Sequence, residues 1–109
     1  MTTQNDNNLR TLHGIRILEI STMVATPFAG KLLASLGADV IKIEDPRTGD
    51  PSRRRGPFPE NEPHKERSGT FLYLNTGKQS VCLNLEDPQG RVILNQLVAV
   101  SDVVIHDKQ

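Results

Sequence analysis

Short runs of β-branched residues alternate with helix-periodic stretches along this chain, and that alternation restricts it to an α/β fold. Residues 15–20 (IRILEI) are a run of strand length, and residues 39–44 (DVIKIE) are a second. Between them Thr26 is placed to cap a helix with Pro27 in its first position, where a missing N–H costs nothing. Phe28, Leu32, Leu33 and Leu36 follow at helical spacing, and Gly30 and Ala34 keep one face small enough for close packing on a sheet. Gly37 stands where a left-handed C-terminal cap belongs. A strand, a helix and a strand in that order predict a right-handed βαβ unit with parallel strands.

The texture changes over residues 45–69, where five of the seven prolines fall together with Arg53, Arg54 and Arg55. Such a density of breakers predicts a long Pro/Arg-rich loop. Order resumes at 70–75 (TFLYLN), a strand or a short helix. Gly77 marks a turn, 80–85 (SVCLNL) reads as a strand, and Asp87-Pro88 repeats the cap-plus-proline helix start. Val92, Ile93, Leu94, Leu97 and Val98 give that helix its apolar face, and 102–105 (DVVI) is a last strand. The expected organisation is a disordered tail over 1–11, then a partial parallel α/β sheet over 12–109. With two good helices, one face of that sheet is expected to be poorly covered, so the isolated chain should self-associate or be partly disordered.

Several function classes are excluded early. Lys plus Arg and Asp plus Glu are 13 each, so there is no bulk electrostatic attraction for nucleic acid. Aromatic residues are 4% with no Trp, which leaves no stacking platform for single strands. Cys82 is the sole cysteine, so an intramolecular disulfide is excluded, and no apolar stretch approaches the ~20 residues of a membrane span. The expected setting is cytoplasmic. His13, His64 and His106 lack metal-ligand spacing, so no metal is expected.

Candidate chemistry is sparse in the residues taken singly. The turn after the first strand reads STMVATP and lacks the G-x-G-x-x-G of dinucleotide folds, although the following helix N-terminus offers N–H groups to an oxyanion. For the basic run at 53–55, two readings stand: a contact for a ligand phosphate, and a solvated loop with internal ion pairs. Glu19 and Glu44 lie near strand ends and read as structural partners for neighbouring bases. Cys82, alternating with Val81 and Leu83, reads as an inert buried thiol.

Taken together, the blocks L-x-G-I-R-I-L-E-I (12–20), A-x-P-F-A-G (25–30), L-L-A-S-L-G-A-D-V-I-K-I-E (32–44), G-D-P-S-R (49–53), L-N-x-G-K-x-S-V (74–81), L-N-L-x-D-P-x-G-R (83–91) and S-D-V-V-I (101–105) resemble the N-terminal part of a family III CoA-transferase, the CaiB/BaiF group. The resemblance implies a Rossmann-like domain holding coenzyme A, in an interlocked homodimer that moves CoA from an acyl-CoA to a carboxylic acid acceptor. An aspartate attacks the thioester, giving a mixed anhydride and then an aspartyl-CoA thioester. In the family that nucleophile lies beyond the position of Gln109, so none of the seven aspartates here occupies its place and the chain alone is expected to be inactive. Relatives of the α-methylacyl-CoA racemase type share the fold, and a non-catalytic CoA-binding or partner-binding module is a further alternative.

By position, the resemblance puts Val24 and Ala25 beside the thioester end of CoA and Asp45 at a phosphate contact. It puts Leu83, Asn84, Leu85 and Glu86 along the adenine, and His106 and Asp107 at a CoA-facing edge. This sequence departs from the family at Val24, often polar, at Asp45, often basic, and at 106–108, commonly Glu-Asn-Phe. Arg47 or the run at 53–55 would then supply the positive charge that Asp45 lacks.

Overall fold

A computed structural model describes residues 10–108; most of the predicted tail, residues 1–9, lies outside the described residues. Strand β1 (Arg16–Ile20) leads through helix α1 (Ala25–Ser35) to β2 (Asp39–Glu44). A long segment containing two 3-10 turns, Pro51–Arg54 and Pro59–Asn61, leads to α2 (Gly69–Leu74). Then follow β3 (Gln79–Cys82), α3 (Pro88–Ala99) and β4 (Val103–His106). All three strand pairings are parallel and the order is β3-β2-β1-β4.

That order decides where the helices go. The β1-to-β2 crossover moves one way across the sheet and the β3-to-β4 crossover moves the other. With both right-handed, they fall on opposite faces. Leu33 and Ala34 of α1 pack on Ile17 and Val40, whereas Leu94 and Leu97 of α3 pack on Leu18, Ile41, Ile43 and Leu83. Each face therefore carries one helix, but cover is incomplete where poor cover was expected, since Val103 and Val104 of β4 stay 44% and 40% exposed. Large apolar residues still point outward: Phe28, Leu32 and Leu36 on α1, Leu72 and Tyr73 on α2, and Val92, Ile93 and Val98 on α3.

Alternation along the strands also buries charge. Ile17 and Glu19 point toward α1 with Val40 and Lys42, while Leu18 and Ile41 point toward α3. Glu19 and Lys42 are register partners, so an acid and a base sit side by side beneath α1. Gly30 lets α1 approach them, since a Cβ there would lie 1.9 Å from Glu19 Oε1.

The predicted elements recur with shifted ends. Helix α1 begins at Ala25, so Thr26 is not its cap; Val24 holds that position without a side-chain bond. The shift follows from Met23, whose φ of 65° turns the chain into the helix earlier. Pro27 still falls in the first turn, where no N–H is needed. Gly37, at φ 104°, ends the helix as expected. Residues 70–74 are helical, capped by Ser68, which accepts from Phe71 N–H at 3.1 Å. Strand β3 stops at Cys82 rather than Leu85, because Asn84 Oδ1 accepts from Glu86 N–H and turns the chain. Cys82 is exposed on this edge strand, not buried.

Candidate functional site

At the carboxyl ends of the strands lies a pocket of about 400 Å³. Its apolar wall is Ile20, Ile43, Leu83 and Leu85, and its polar rim includes Thr22, Asp45, Arg47, Glu86 and Lys108. Strand β1 is flanked by β2 on one side and β4 on the other, with their helices on opposite faces. The pocket therefore opens where open α/β sheets bind ligands.

Of the residues predicted for the site, Asp45, Leu83, Leu85 and Glu86 line this pocket. The others are not among its lining residues. Asn84 Oδ1 accepts from Glu86 N–H at 3.1 Å, and His106 pairs with Ile20 in the sheet while its Nδ1 accepts from Lys108 N–H at 3.2 Å. Asp107 turns to the first strand-helix turn, accepting from Thr22 N–H at 2.9 Å. Val24 and Ala25 open α1 and are exposed. The wall around Asn84 depends on Gly90, where a Cβ would lie 2.0 Å from the Asn84 carbonyl oxygen.

Charge at the rim is balanced locally. Arg47 grips Asp45 through Nε to Oδ1 at 3.0 Å and Nη2 to Oδ2 at 2.8 Å, and reaches Glu86 at 3.1 Å. The Arg47 side-chain bonds hold the Asp45 carboxyl down to about 2. Arg47 thus stands where the missing positive charge was sought, already engaged by two acids.

Beneath the pocket runs a buried polar network that pins the 45–68 segment to the sheet. Lys42 Nζ lies 3.2 Å from Glu19 and 2.8 Å from Asp50. Lys78 Nζ contacts Glu19 Oε1 at 2.8 Å, the Pro27 carbonyl at 2.8 Å and Asn75 Oδ1 at 2.8 Å. Burial pushes the Lys78 ammonium below the usual lysine range, against the opposing pull of Glu19. Asp50 Oδ1 accepts from Met23 N–H at 3.1 Å and from both the N–H and hydroxyl of Ser52. Burial raises the Asp50 carboxyl, but Lys42 and these N–H groups outweigh it and leave it lowered.

Arg53 forks onto Glu44 at 2.9 and 2.8 Å and lies 3.7 Å over the Phe71 ring. Burial likewise raises Glu44, and the bonds from Arg53, Asp50 N–H and Ser80 bring it below its ordinary value. Glu19 and Glu44 are thus structural partners of bases, as expected. Of the basic run, Arg53 follows the internal ion-pair reading. Asp50 escaped the sequence reading although its signal was present: Asp50-Pro51 opens a 3-10 turn as Asp87-Pro88 opens α3.

Among the described residues, no group of three or more His, Cys, Asp or Glu is placed to hold a metal. None of the described helices is long and apolar enough to cross a membrane.

Comparison with known proteins gives a consistent result. The family model described as CoA-transferase family III matches residues 12–109. The chain is 39% identical over 107 residues to a succinate–glutarate CoA-transferase of Agrobacterium fabrum, covering 96% of this chain and 27% of that protein. It is 40% identical over 102 residues to the human succinyl-CoA:glutarate CoA-transferase, covering 93% and 22%. A crystal structure of a CaiB/BaiF family protein from Brucella suis superposes with a TM-score of 0.77 at 37% identity, covering 89% of this chain and 25% of that one. The chain spans about a quarter of the length of the curated relatives it matches.

Proposed function

Because this chain belongs to CoA-transferase family III, we propose that it is the CoA-holding, Rossmann-like N-terminal part of an enzyme that moves CoA from an acyl-CoA to a carboxylic acid. The observation that carries this reading is the pocket at the strand ends, where four residues assigned to CoA by the resemblance converge on one wall and rim. Leu83 and Leu85 offer an apolar surface to a flat base, and Arg47 with Lys108 offers cations to phosphate. Val24 and Ala25, at the start of α1, would meet the thioester end. The transferase reading is favoured over the racemase one by the two curated relatives named above, both of which are CoA-transferases. The homodimer of the family and a cytoplasmic setting belong to the same proposal, supported by the resemblance and by the free thiol of Cys82.

The chain's own contribution is binding and orientation. Each aspartate among the described residues already has a structural partner. Asp39 pairs with Arg16, Asp45 with Arg47 and Asp50 with Lys42. Asp87 caps α3, and Asp102 and Asp107 accept from the backbone of Arg16 and Thr22. The nucleophile is therefore assigned outside residues 10–108.

Titrating CoA into the isotope-labelled chain tests the reading. The amides of Asp45, Leu83, Leu85 and Glu86 should shift together and saturably. Unchanged spectra, or shifts confined to another surface, would overturn it.

A further inference from the structure

Residues 22–27 run from the turn after β1 through the first turn of α1, and little that is local holds them. Val24 caps α1 without a side-chain bond, and Met23 adopts φ 65°, a conformation unfavourable for a residue with a β-carbon. Three charged side chains from distant parts of the chain hold the segment instead. Asp107, just past β4, accepts from Thr22 N–H at 2.9 Å. Asp50, at the mouth of the first 3-10 turn, accepts from Met23 N–H at 3.1 Å. Lys78, between α2 and β3, donates to the Pro27 carbonyl at 2.8 Å.

The two aspartates differ in their own support. Asp50 is buried and fixed by Lys42 at 2.8 Å. Asp107 is exposed and makes no ion pair among the described residues, so its bond to Thr22 is its one polar tie to the turn. Neither carboxylate is placed like a phosphate ligand, because each is an anion already aimed at a backbone donor.

We propose that Asp107 and Asp50 are positioning residues: they set the backbone from which Val24 and Ala25 meet the acyl-thioester end of CoA, without touching the ligand. The inference rests on the CoA-binding reading above. A carboxylate acting this way affects the acyl end of the ligand and leaves the nucleotide end alone. One acting as a bare charge affects the phosphates.

Calorimetric titration of the chain with succinyl-CoA and with adenosine 3′,5′-bisphosphate, which lacks the pantetheine arm and thioester, separates these roles. Asp107→Ala should weaken succinyl-CoA about tenfold and change the bisphosphate by less than about twofold, since misplacing a contact is costly only where that contact is made. Asp107→Asn retains an oxygen acceptor for Thr22 N–H and should restore the affinity lost in Asp107→Ala. Exchange of the Thr22 amide should quicken in Asp107→Ala and stay slow in Asp107→Asn.

Equal weakening of both ligands, no change in either, or failure of Asp107→Asn to restore binding would each overturn the proposal. Stronger binding of both ligands in both variants would overturn it in favour of a repulsive charge. A wild-type chain that binds neither ligand sinks the CoA-binding reading, and with it the ligand half of this proposal. Thr22 exchange still reads the latch itself, and unchanged exchange in Asp107→Ala would sink that too.

Discussion

Lys42 on β2 and Asp50 on the long segment meet at 2.8 Å with both side chains almost wholly buried. The contact fastens a proline-rich stretch to the middle of a parallel sheet. A buried ammonium is tolerated only with its counter-charges in place, and here Glu19 is already shared between Lys42 and Lys78. Asp50→Ala should therefore destabilise the fold by about 3–5 kcal/mol in urea denaturation. A loss under about 1 kcal/mol, the size of an exposed pair, would show that the contact is no anchor.

Arg53 is expected to resist replacement by lysine. Its guanidinium holds both oxygens of Glu44 while lying over Phe71, and an ammonium can reproduce one of those contacts at most. Arg53→Lys should cost about 1–2 kcal/mol and speed amide exchange over residues 50–55. Unaltered exchange there would contradict the role.

The acid limb of the stability profile should carry Glu44. Its folded value lies below its ordinary one of 4.5, so its stabilising contribution is present above that pH and is lost as pH falls through the lowered folded value. In Arg53→Lys the acid-side loss should begin at higher pH. Identical acid limbs for both proteins would refute this.

Asp45 should titrate near 2 by carboxyl NMR, and Arg47→Ala should return it toward the ordinary 3.8. The sign is that of any depressed carboxylate: stabilising above 3.8, and lost as pH falls toward 2. Asp45→Asn frees Arg47 from its bidentate partner, so CoA should bind more tightly and with steeper salt dependence. Weaker binding in that variant would mean that Arg47 serves the pocket only while Asp45 orients it.

Gly90→Ala should damage the pocket wall from behind. The new methyl would lie 2.0 Å from the Asn84 carbonyl oxygen, a backbone atom that cannot swing aside. A loss of about 1–3 kcal/mol is expected, as for other overpacked sites, with weaker CoA binding because Leu83 and Leu85 move. Full retention of both would show that the loop yields.

The chain by itself should show no CoA exchange between succinyl-CoA and glutarate, since every described aspartate is held by a structural partner. Measurable turnover would overturn that assignment.

Most elements were legible because periodicity and caps are local signals. β2 matches the predicted residues, and Asp87-Pro88 opens α3 as read. The disagreements have local and non-local causes. Six residues of α2 are too few to show a period, so Ser68 had to be seen capping it. Thr26 lost the cap position to a left-handed Met23, a conformation that the sequence around it does not advertise. The long segment's order was least legible, because Arg53–Glu44 and Lys42–Asp50 join a loop to a strand and nothing in composition pairs them. Of the candidate site, Leu83 and Leu85 were named through the resemblance, Ile20 and Ile43 of the same wall were not, and Asp50 could have been read from its own Asp-Pro signature.

The latch between Asp107 and Thr22 also has a consequence in time. It joins residues 85 apart, and it can form only after β4 has docked beside β1. Strand β1 is thus tied to β4, and Thr22 stays unfastened until β4 is in place, whereas Met23 and Pro27 are held by Asp50 and Lys78 without it. An interaction of such long sequence separation is expected to be weakly formed at the folding barrier. Its removal should leave the refolding rate almost unchanged and appear as faster unfolding.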